Sequence, residues 1–92
     1  MITYNWNAEK NILLKKERGY SFEQIVSHIE NGSLLDIIAH PNKEKFSHQQ
    51  ILIVRIENYV IAIPFVENNK ERFLKTIIPS RKLTKQYLKG TE

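Results

Sequence analysis

The chain of 92 residues contains no cysteine, which excludes disulfide bonds and thiolate metal sites. With only three glycines, it has no glycine-rich phosphate-binding loop. No apolar run approaches the roughly 18–20 residues that a transmembrane helix needs. The N-terminal stretch MITYNWNAEK lacks the basic and apolar regions of a secretory signal. The sequence therefore predicts one small globular domain, without membrane association, in the cytoplasm.

Positive charge is concentrated in the last quarter of the chain. Residues 1–69 hold seven Lys or Arg and eight Asp or Glu, a balance of −1, whereas residues 70–92 hold seven and two, a balance of +5. The two parts sum to the formal net charge of +4. A clustered basic surface attracts polyanions, of which nucleic acid is the commonest. The alternative is a solvated face that only keeps the protein soluble.

The first third of the chain predicts one strand and two helices. Ile2–Trp6 alternates apolar residues onto one face, as a short strand does. The segment Asn7–Gly19 has an N-cap residue at its start and a glycine stop at its end. Ser21 and Gln24 form a capping box for a second helix, which Asn31-Gly32 ends.

Strand-type segments dominate the rest of the chain, at Leu34–His40, Gln49–Ile56, Tyr59–Val66 and Arg72–Ile78. Pro64 cannot donate to a strand ladder, so it marks an edge or a bulge. Tight connections between the late strands favour antiparallel pairing, and a last short helix follows Pro79. These patterns predict an α+β domain with two N-terminal helices packed on an antiparallel sheet of about four strands, and a short C-terminal helix.

The last predicted helix has cations at its N-terminus, where the helix dipole is positive. Ser80 is the expected N-cap, and Arg81 and Lys82 are the first helical residues. Each exposed cation costs about 0.3–1 kcal/mol in that position. A bound phosphate offsets this cost, so the pattern predicts a phosphate site built from these cations and the helix N–H groups. The alternative is a solvated helix start that tolerates the penalty.

Three short motifs in order resemble BrnT-type toxins, in the RelE-like group of bacterial toxin–antitoxin ribonucleases: WNAEKN (Trp6–Asn11), GYSFEQ (Gly19–Gln24) and IIPSRKLT (Ile77–Thr84). Members of that family carry Trp-Asp-x-x-Lys-Asn, then Gly-Val-Ser-Phe-Glu, then Ile-Ser-Ala-Arg-Lys-Ala-Thr. The resemblance implies a RelE-like fold and an endoribonuclease that needs no cofactor. It also implies a cognate antitoxin with a ribbon-helix-helix DNA-binding domain, through which alone the pair contacts operator DNA.

The chain departs from the family pattern at two places. Glu17-Arg18 stands where the family has Lys-His, so one proton-transfer histidine is missing. Thr76 stands where the family often has an arginine, and the neighbouring Lys75 points to the opposite strand face. These departures keep a second interpretation open, in which a domain of the same fold binds nucleic acid or a protein partner without catalysis.

Three residues are the predicted catalytic groups. Arg81 belongs to the matching motif at the helix start. Arg55 lies in an otherwise apolar strand, on the face of Ile51 and Ile53, and the family carries an arginine near the end of this strand; its alternative role is an ion pair with Glu57 or Glu67. His40 ends a strand in AHPNKEKF and is able to give or take a proton, although it also fits a loop histidine without a role.

Four lysines are the predicted RNA-binding residues. Lys82 and Lys85 belong to the last helix, Lys75 to the strand before it, and Lys10 to the WNAEKN motif. Each of them also fits a solvated surface position. The three histidines lack metal-ligand spacing, so the sequence predicts no metal site.

Overall fold

The computed structural model describes residues 2–42, 44–45 and 48–88. Their elements are β1 (Thr3–Trp6), α1 (Ala8–Arg18), α2 (Phe22–His28), a wide π-type turn (Ile29–Ser33), β2 (Leu34–Ala39), β3 (Gln49–Ile56), β4 (Tyr59–Asn68), β5 (Glu71–Leu74), β6 (Ile78–Pro79) and α3 (Arg81–Tyr87). The predicted α+β class is confirmed, and the elements differ from the prediction in that the predicted strand Arg72–Ile78 is divided into β5 and β6.

The strands form one six-stranded mixed sheet, so the prediction of an antiparallel sheet of about four strands was wrong. The order across the sheet is β1-β5-β4-β3-β2, and β6 also pairs with β4. Strands β2 to β5 pair antiparallel through short connections, as expected. Strand β1 joins β5 in parallel. Its partner lies almost seventy residues further along the chain, and no local pattern announces such a pairing.

Pro64 marks the point where β5 ends and β6 begins. Strand β4 pairs with β5 up to the Phe65–Leu74 pair, and with β6 from the Ala62–Ile78 pair. From Phe65 to Ala62, β4 advances by three residues, whereas the opposite segment advances by four, from Leu74 to Ile78. The opposite segment therefore contains one extra residue, which forms a bulge. Proline offers no N–H for a ladder bond, so a bulge opposite it leaves no donor unmet.

The extra residue changes which face the following side chains occupy. The predicted strand Arg72–Ile78 would place Ile77 on the face of Phe73 and Lys75. Instead, Ile77 is fully buried in the same cluster as Leu74. Lys75 donates its backbone N–H to the carbonyl oxygen of Pro64 at 2.8 Å. The extra residue of the bulge lies after this bond and before β6.

Helices cover both faces of the sheet. Helices α1 and α2 cover one face, which we call the α1/α2 face. Its core consists of Leu14, Phe22, Ile25, Leu52, Val54, Ile56, Ile61, Ile63, Phe65, Leu74 and Ile77. Helix α3 covers the opposite α3 face, where Ile51, Ile53, Val60 and Ala62 pack against Ile38, Leu83, Tyr87 and Leu88. The two faces alternate along β3 and β4, which explains why both strands are apolar almost throughout.

Asn11 joins α1 to the start of α2. Its side-chain oxygen accepts the backbone N–H of Phe22 at 2.7 Å, and its amide donates to the Glu23 carboxylate at 2.6 Å. Asn7 caps α1 by accepting the N–H of Lys10, as predicted. Both asparagines of the first matching motif therefore have a structural explanation that is independent of catalysis.

Replacing Asn11 with alanine is expected to lower the free energy of unfolding by about 1–3 kcal/mol, because the half-buried N–H of Phe22 loses its acceptor. Urea denaturation measures this change. Asn31→Ala, at an exposed position in the π-type turn, is the matched control and should change stability by less than about 0.5 kcal/mol.

Acid titration of the same variant gives an independent readout. The Asn11 amide, which donates to the Glu23 carboxylate, lowers the pKa of that carboxyl below its ordinary value of 4.5. This bond therefore contributes stability above pH 4.5 and loses that contribution as pH falls further. Asn11→Ala should flatten the stability profile in this acid range. An unchanged profile would contradict the role assigned to the bond.

Candidate nucleic-acid interface

Ser80 fixes the start of α3 on the first residues of β4. Its hydroxyl accepts the N–H of Leu83 at 3.1 Å, so the predicted N-cap is confirmed. Its own N–H donates to the carbonyl oxygen of Val60 at 3.1 Å. The Thr84 hydroxyl accepts the Val60 N–H at 2.9 Å. Both backbone groups of Val60 are thus hydrogen-bonded to the start of α3, and these two bonds hold the helix at this end of the sheet.

Three cations share the outer side of α3, and we call Arg81, Lys82 and Lys85 the α3 cationic surface. All three are exposed, whereas Leu83 and Tyr87 pack on the sheet. At 100° per residue, the three side chains fall within about 100° of one another around the helix axis. The first turn of α3 contains no acid, and in the described part of the chain none of the three forms an ion pair. Their charge is therefore presented to solvent without local neutralisation.

Arg55 lies at the same end of the sheet as the start of α3. It pairs with Val60, the residue that Ser80 and Thr84 hold. It is half-buried, and its Nε donates to the backbone carbonyl oxygen of Glu57 at 2.8 Å. The expected face, shared with Ile51 and Ile53, is confirmed by the pairing. The ion pair considered as an alternative role for Arg55 does not form with either acid: the bond goes to a backbone oxygen of Glu57, and Glu67 pairs with Arg72.

His40 lies at the other end of the sheet. Its N–H donates to the carbonyl oxygen of Gln49 at the start of β3, six residues before Arg55. Six strand residues span about 20 Å. The His40 Nδ1 accepts the backbone N–H of Asn42 at 3.1 Å, so the ring takes part in the turn that follows β2. The structure does not bring His40 together with Arg55 and the α3 cationic surface.

Lys75 and Lys10 line an open groove where β1 leads into α1. The groove has a volume of about 530 Å³, and its other lining residues are Asn7, Glu9 and Leu13. The Lys75 ammonium lies 5.2 Å from the centre of the Phe73 ring. Lys75 bonds to Pro64, four residues along β4 from Val60, which corresponds to about 13 Å. Two of the four predicted RNA-binding lysines therefore form a second basic group, separate from the α3 cationic surface.

Two further arginines have structural partners that the sequence did not predict. The Arg18 guanidinium, at the end of α1, donates to the carbonyl oxygen of Ile77 and ties the helix to the chain just before β6. The Arg72 Nε lies 2.9 Å from a Glu67 oxygen. Desolvation opposes its charged form, but the bonds to Glu67 and Tyr4 outweigh it and raise the pKa of Arg72. The contacts of Arg18 with Ile77 and of Arg72 with Tyr4 join distant parts of the chain, so sequence spacing gives no signal for them. Glu67 and Arg72, by contrast, face each other across the β4–β5 hairpin.

Tyr87 anchors the far end of α3 to strand β2. Its hydroxyl donates to an Asp36 carboxylate oxygen at 3.0 Å. Desolvation and this bond to Asp36 together raise the pKa of Tyr87. Helix α3 therefore spans the sheet from β6 to β2 and is fixed at both ends by hydrogen bonds.

No family model, curated protein or solved structure matches this chain. Within residues 2–42, 44–45 and 48–88, no group of three His, Asp or Glu residues lies close enough to hold a metal ion. None of the helices in this described part is long and apolar enough to cross a membrane.

Proposed function

We propose that the protein is a ribonuclease of the BrnT toxin type, with a RelE-like fold, which cleaves RNA without a metal ion. The α3 cationic surface carries this proposal. Its three cations are exposed on one side of a helix, and the sequence has no carboxylate from residue 72 to residue 91. Such a concentration of fixed positive charge favours a polyanion. The resemblance of IIPSRKLT to the family motif supports cleavage in addition to binding.

The chemistry requires two proton transfers and stabilisation of a phosphate. The RNA 2′-hydroxyl passes its proton to solvent water, and its oxygen attacks phosphorus. The bond between phosphorus and the 5′-oxygen breaks, and this oxygen takes up a proton from water, so the products end in a 2′,3′-cyclic phosphate and a 5′-hydroxyl. Arg81 stabilises the negative charge that develops on the phosphate oxygens, which its planar guanidinium matches in shape. Arg55 is the second guanidinium at this end of the sheet, and its bond to Glu57 orients it.

The lysines hold the rest of the RNA chain. Lys82 and Lys85 extend the cationic surface along α3. Lys75 and Lys10 form the second basic group, and the Lys75 backbone bonds to Pro64, about 13 Å along β4 from Val60. The RNA path then runs from α3 to the groove. Single-stranded RNA fits this surface better than a duplex, because the two basic groups lie on different elements.

A second candidate function is RNA binding without cleavage. The position of His40 favours it, because the imidazole lies about 20 Å from Arg55. His40 therefore belongs to neither basic group and is left out of the proposed site. In this second function, the same cations hold RNA, and no phosphodiester bond is broken.

The proposal also includes a cytoplasmic partner. A toxin of this type is neutralised by a cognate antitoxin with a ribbon-helix-helix domain, which alone contacts operator DNA. The observation that supports this partner is again the uncompensated charge of α3, which an acidic segment of another protein would cover.

Expression in bacteria without any partner tests the function. The protein should arrest growth, and Arg81→Ala should restore growth at an equal level of soluble protein. Lys16→Ala, which removes an exposed cation from α1 instead, is the control and should still arrest growth. Normal growth of cells that contain soluble wild-type protein would contradict the proposed toxicity.

A further inference from the structure

In the described part of the chain, Phe73 of β5 belongs to neither core cluster. Its neighbour Leu74 is buried on the α1/α2 face, so Phe73 lies on the α3 face. Its partner across the pairing of β4 with β5 is Val66, and both side chains are only half-buried. Part of the Phe73 ring is therefore open to solvent, beside the area that α3 covers.

A cation lies beside this ring. The Lys75 ammonium is 5.2 Å from the centre of the Phe73 ring, and Lys75 itself is exposed. Lys75 also lines the groove with Lys10, so the ring borders the second basic group. Proteins bind single-stranded nucleic acid with this combination, because the bases stack on aromatic rings while cations bind the phosphates. The charge of the second basic group thus favours a polyanion, and the neighbouring ring favours one that carries bases.

The charge along this part of the chain changes sign across Phe73. Glu71 precedes it by two residues and Lys75 follows it by two, each about 7 Å away along an extended chain. Asn5 lies beside Phe73 on β1, and its amide donates to the Glu71 carboxylate. A phosphate is attracted by Lys75 and repelled by Glu71, whereas a base has amino groups that a carboxylate accepts. A nucleotide on this face is therefore oriented with its phosphate towards Lys75 and its base over Phe73.

We propose that Phe73 is a base-stacking site for single-stranded RNA, which binds with one base on the ring and the adjacent phosphate at Lys75. The base displaces the Lys75 ammonium from the ring, and the exposed side chain then binds the phosphate. The site rests on the RNA binding proposed above but not on cleavage. It adds a contact to a base where the cations bind only the backbone. A duplex cannot use this contact, because its bases are stacked on one another.

Two oligonucleotides separate contacts to bases from contacts to phosphates. One is a labelled single-stranded RNA of about eight nucleotides, and the other is an abasic strand with the same length and the same number of phosphates. Fluorescence anisotropy with the full chain measures both affinities. The wild type should bind the RNA about tenfold more tightly than the abasic strand, as expected for the stacking of one base. Phe73→Leu should lose this difference and bind the two strands alike.

Further variants control for charge and for folding. Lys75→Gln should weaken the binding of both strands by the same factor, because it removes a phosphate contact. Tyr20→Leu is the matched control: Tyr20 is a half-buried aromatic residue that packs on the α1/α2 face, and its replacement should change neither affinity. Circular dichroism shows whether Phe73→Leu is folded. If it is not, Phe73→Trp decides, because RNA should quench the added tryptophan fluorescence and the abasic strand should not, above the constant signal of Trp6.

Equal affinity of the wild type for the two strands would overturn the base-stacking site. So would a Phe73→Leu variant that keeps the difference, or a Phe73→Trp variant that RNA does not quench. These results would leave the proposed RNA binding intact. Conversely, RNA that is bound with the expected preference but not cleaved would support the stacking site and contradict the ribonuclease. Folded wild-type protein that binds neither strand would overturn both proposals.

Discussion

Replacing Arg81, Lys82 and Lys85 together with glutamine is expected to lower the affinity for single-stranded RNA about 100-fold at 0.1 M salt. Each phosphate contact releases counterions and contributes a slope of about −0.7 to the dependence of log K on log salt concentration. The loss of three contacts should therefore reduce the slope by about 2. Fluorescence anisotropy with a labelled single-stranded RNA, at several salt concentrations, measures both quantities.

A second triple variant tests whether RNA affinity depends on the position of the removed charges or only on the net charge of the protein. Lys15→Gln, Lys16→Gln and Lys70→Gln remove the same number of charges from exposed residues on α1 and the β4–β5 turn. This control should retain most of the affinity and most of the salt slope. Equal losses in the two variants would mean that RNA responds to overall charge, and the α3 cationic surface would lose its special role.

Replacing Phe22 with alanine is expected to lower the free energy of unfolding by about 3–5 kcal/mol. Phe22 is fully buried at the start of α2, and its ring stacks on Trp6 with 5.7 Å between centroids. The substitution leaves a cavity between β1, α2 and the sheet. A domain of this size has a total stability of only about 5–10 kcal/mol, so the loss is a large fraction of the whole.

Urea denaturation measures the effect of Phe22→Ala, and Ile12→Ala is its control. Ile12 is 71% exposed, so its truncation should change stability by less than about 0.5 kcal/mol. A cost of less than about 1 kcal/mol for Phe22→Ala would contradict the packing described for the α1/α2 face. The measurement also tests the stacking of Trp6, which anchors the edge strand β1 to the core.

Local signals in the sequence predicted the helix boundaries well. Asn7, Ser21 and Ser80 are N-caps in the structure, and Gly19 adopts the left-handed φ of 77° that ends α1. These features depend on residues within one helical turn, so a short stretch of sequence contains all the necessary information. The start of α3, and with it the cations in its first turn, could therefore be located from IIPSRKLT alone.

Contacts between distant segments were not predictable in the same way. The pairing of β1 with β5 joins Thr3 to Glu71, and it has no signal in either segment. The bulge opposite Pro64 was foreseen as a possibility, but its effect on Ile77 was not. The bulge moves Ile77 to the other face of the sheet. This change could be known only from the register, that is, from which residues of β4 pair with β5 and which pair with β6.

In the candidate site, too, the features set by local sequence were predictable and those set by distant contacts were not. Arg81, Lys82 and Lys85 share one helix, so their spacing was enough to group them. Arg55 lies at the same end of the sheet as the start of α3 because it pairs with Val60, and Val60 bonds to Ser80 and Thr84. Both its strand and its face were predicted, but its neighbours were not.

The place of His40 relative to Arg55 could not be predicted from its sequence context. Its sequence context suggested an acid or base, because it follows a strand and precedes a basic loop. Strand direction decides its real position: β2 and β3 are antiparallel, so the end of β2 lies beside the start of β3. The end of β3, with Arg55, is then at the opposite end of the sheet.

The central claim is that Arg81 and Arg55, at the end of the sheet where α3 begins, promote cleavage of phosphodiester bonds. Cleavage of RNA by the purified protein is its most direct test. Single-turnover assays should use a labelled single-stranded RNA with excess EDTA. We expect products with a 2′,3′-cyclic phosphate and a 5′-hydroxyl, and a rate that falls at least about 100-fold in Arg81→Ala, as for loss of a group that stabilises the transition state. The Lys16→Ala control should cleave like the wild type. Intact RNA in the presence of folded wild-type protein that binds it, or equal cleavage by Arg81→Ala, would contradict the claim.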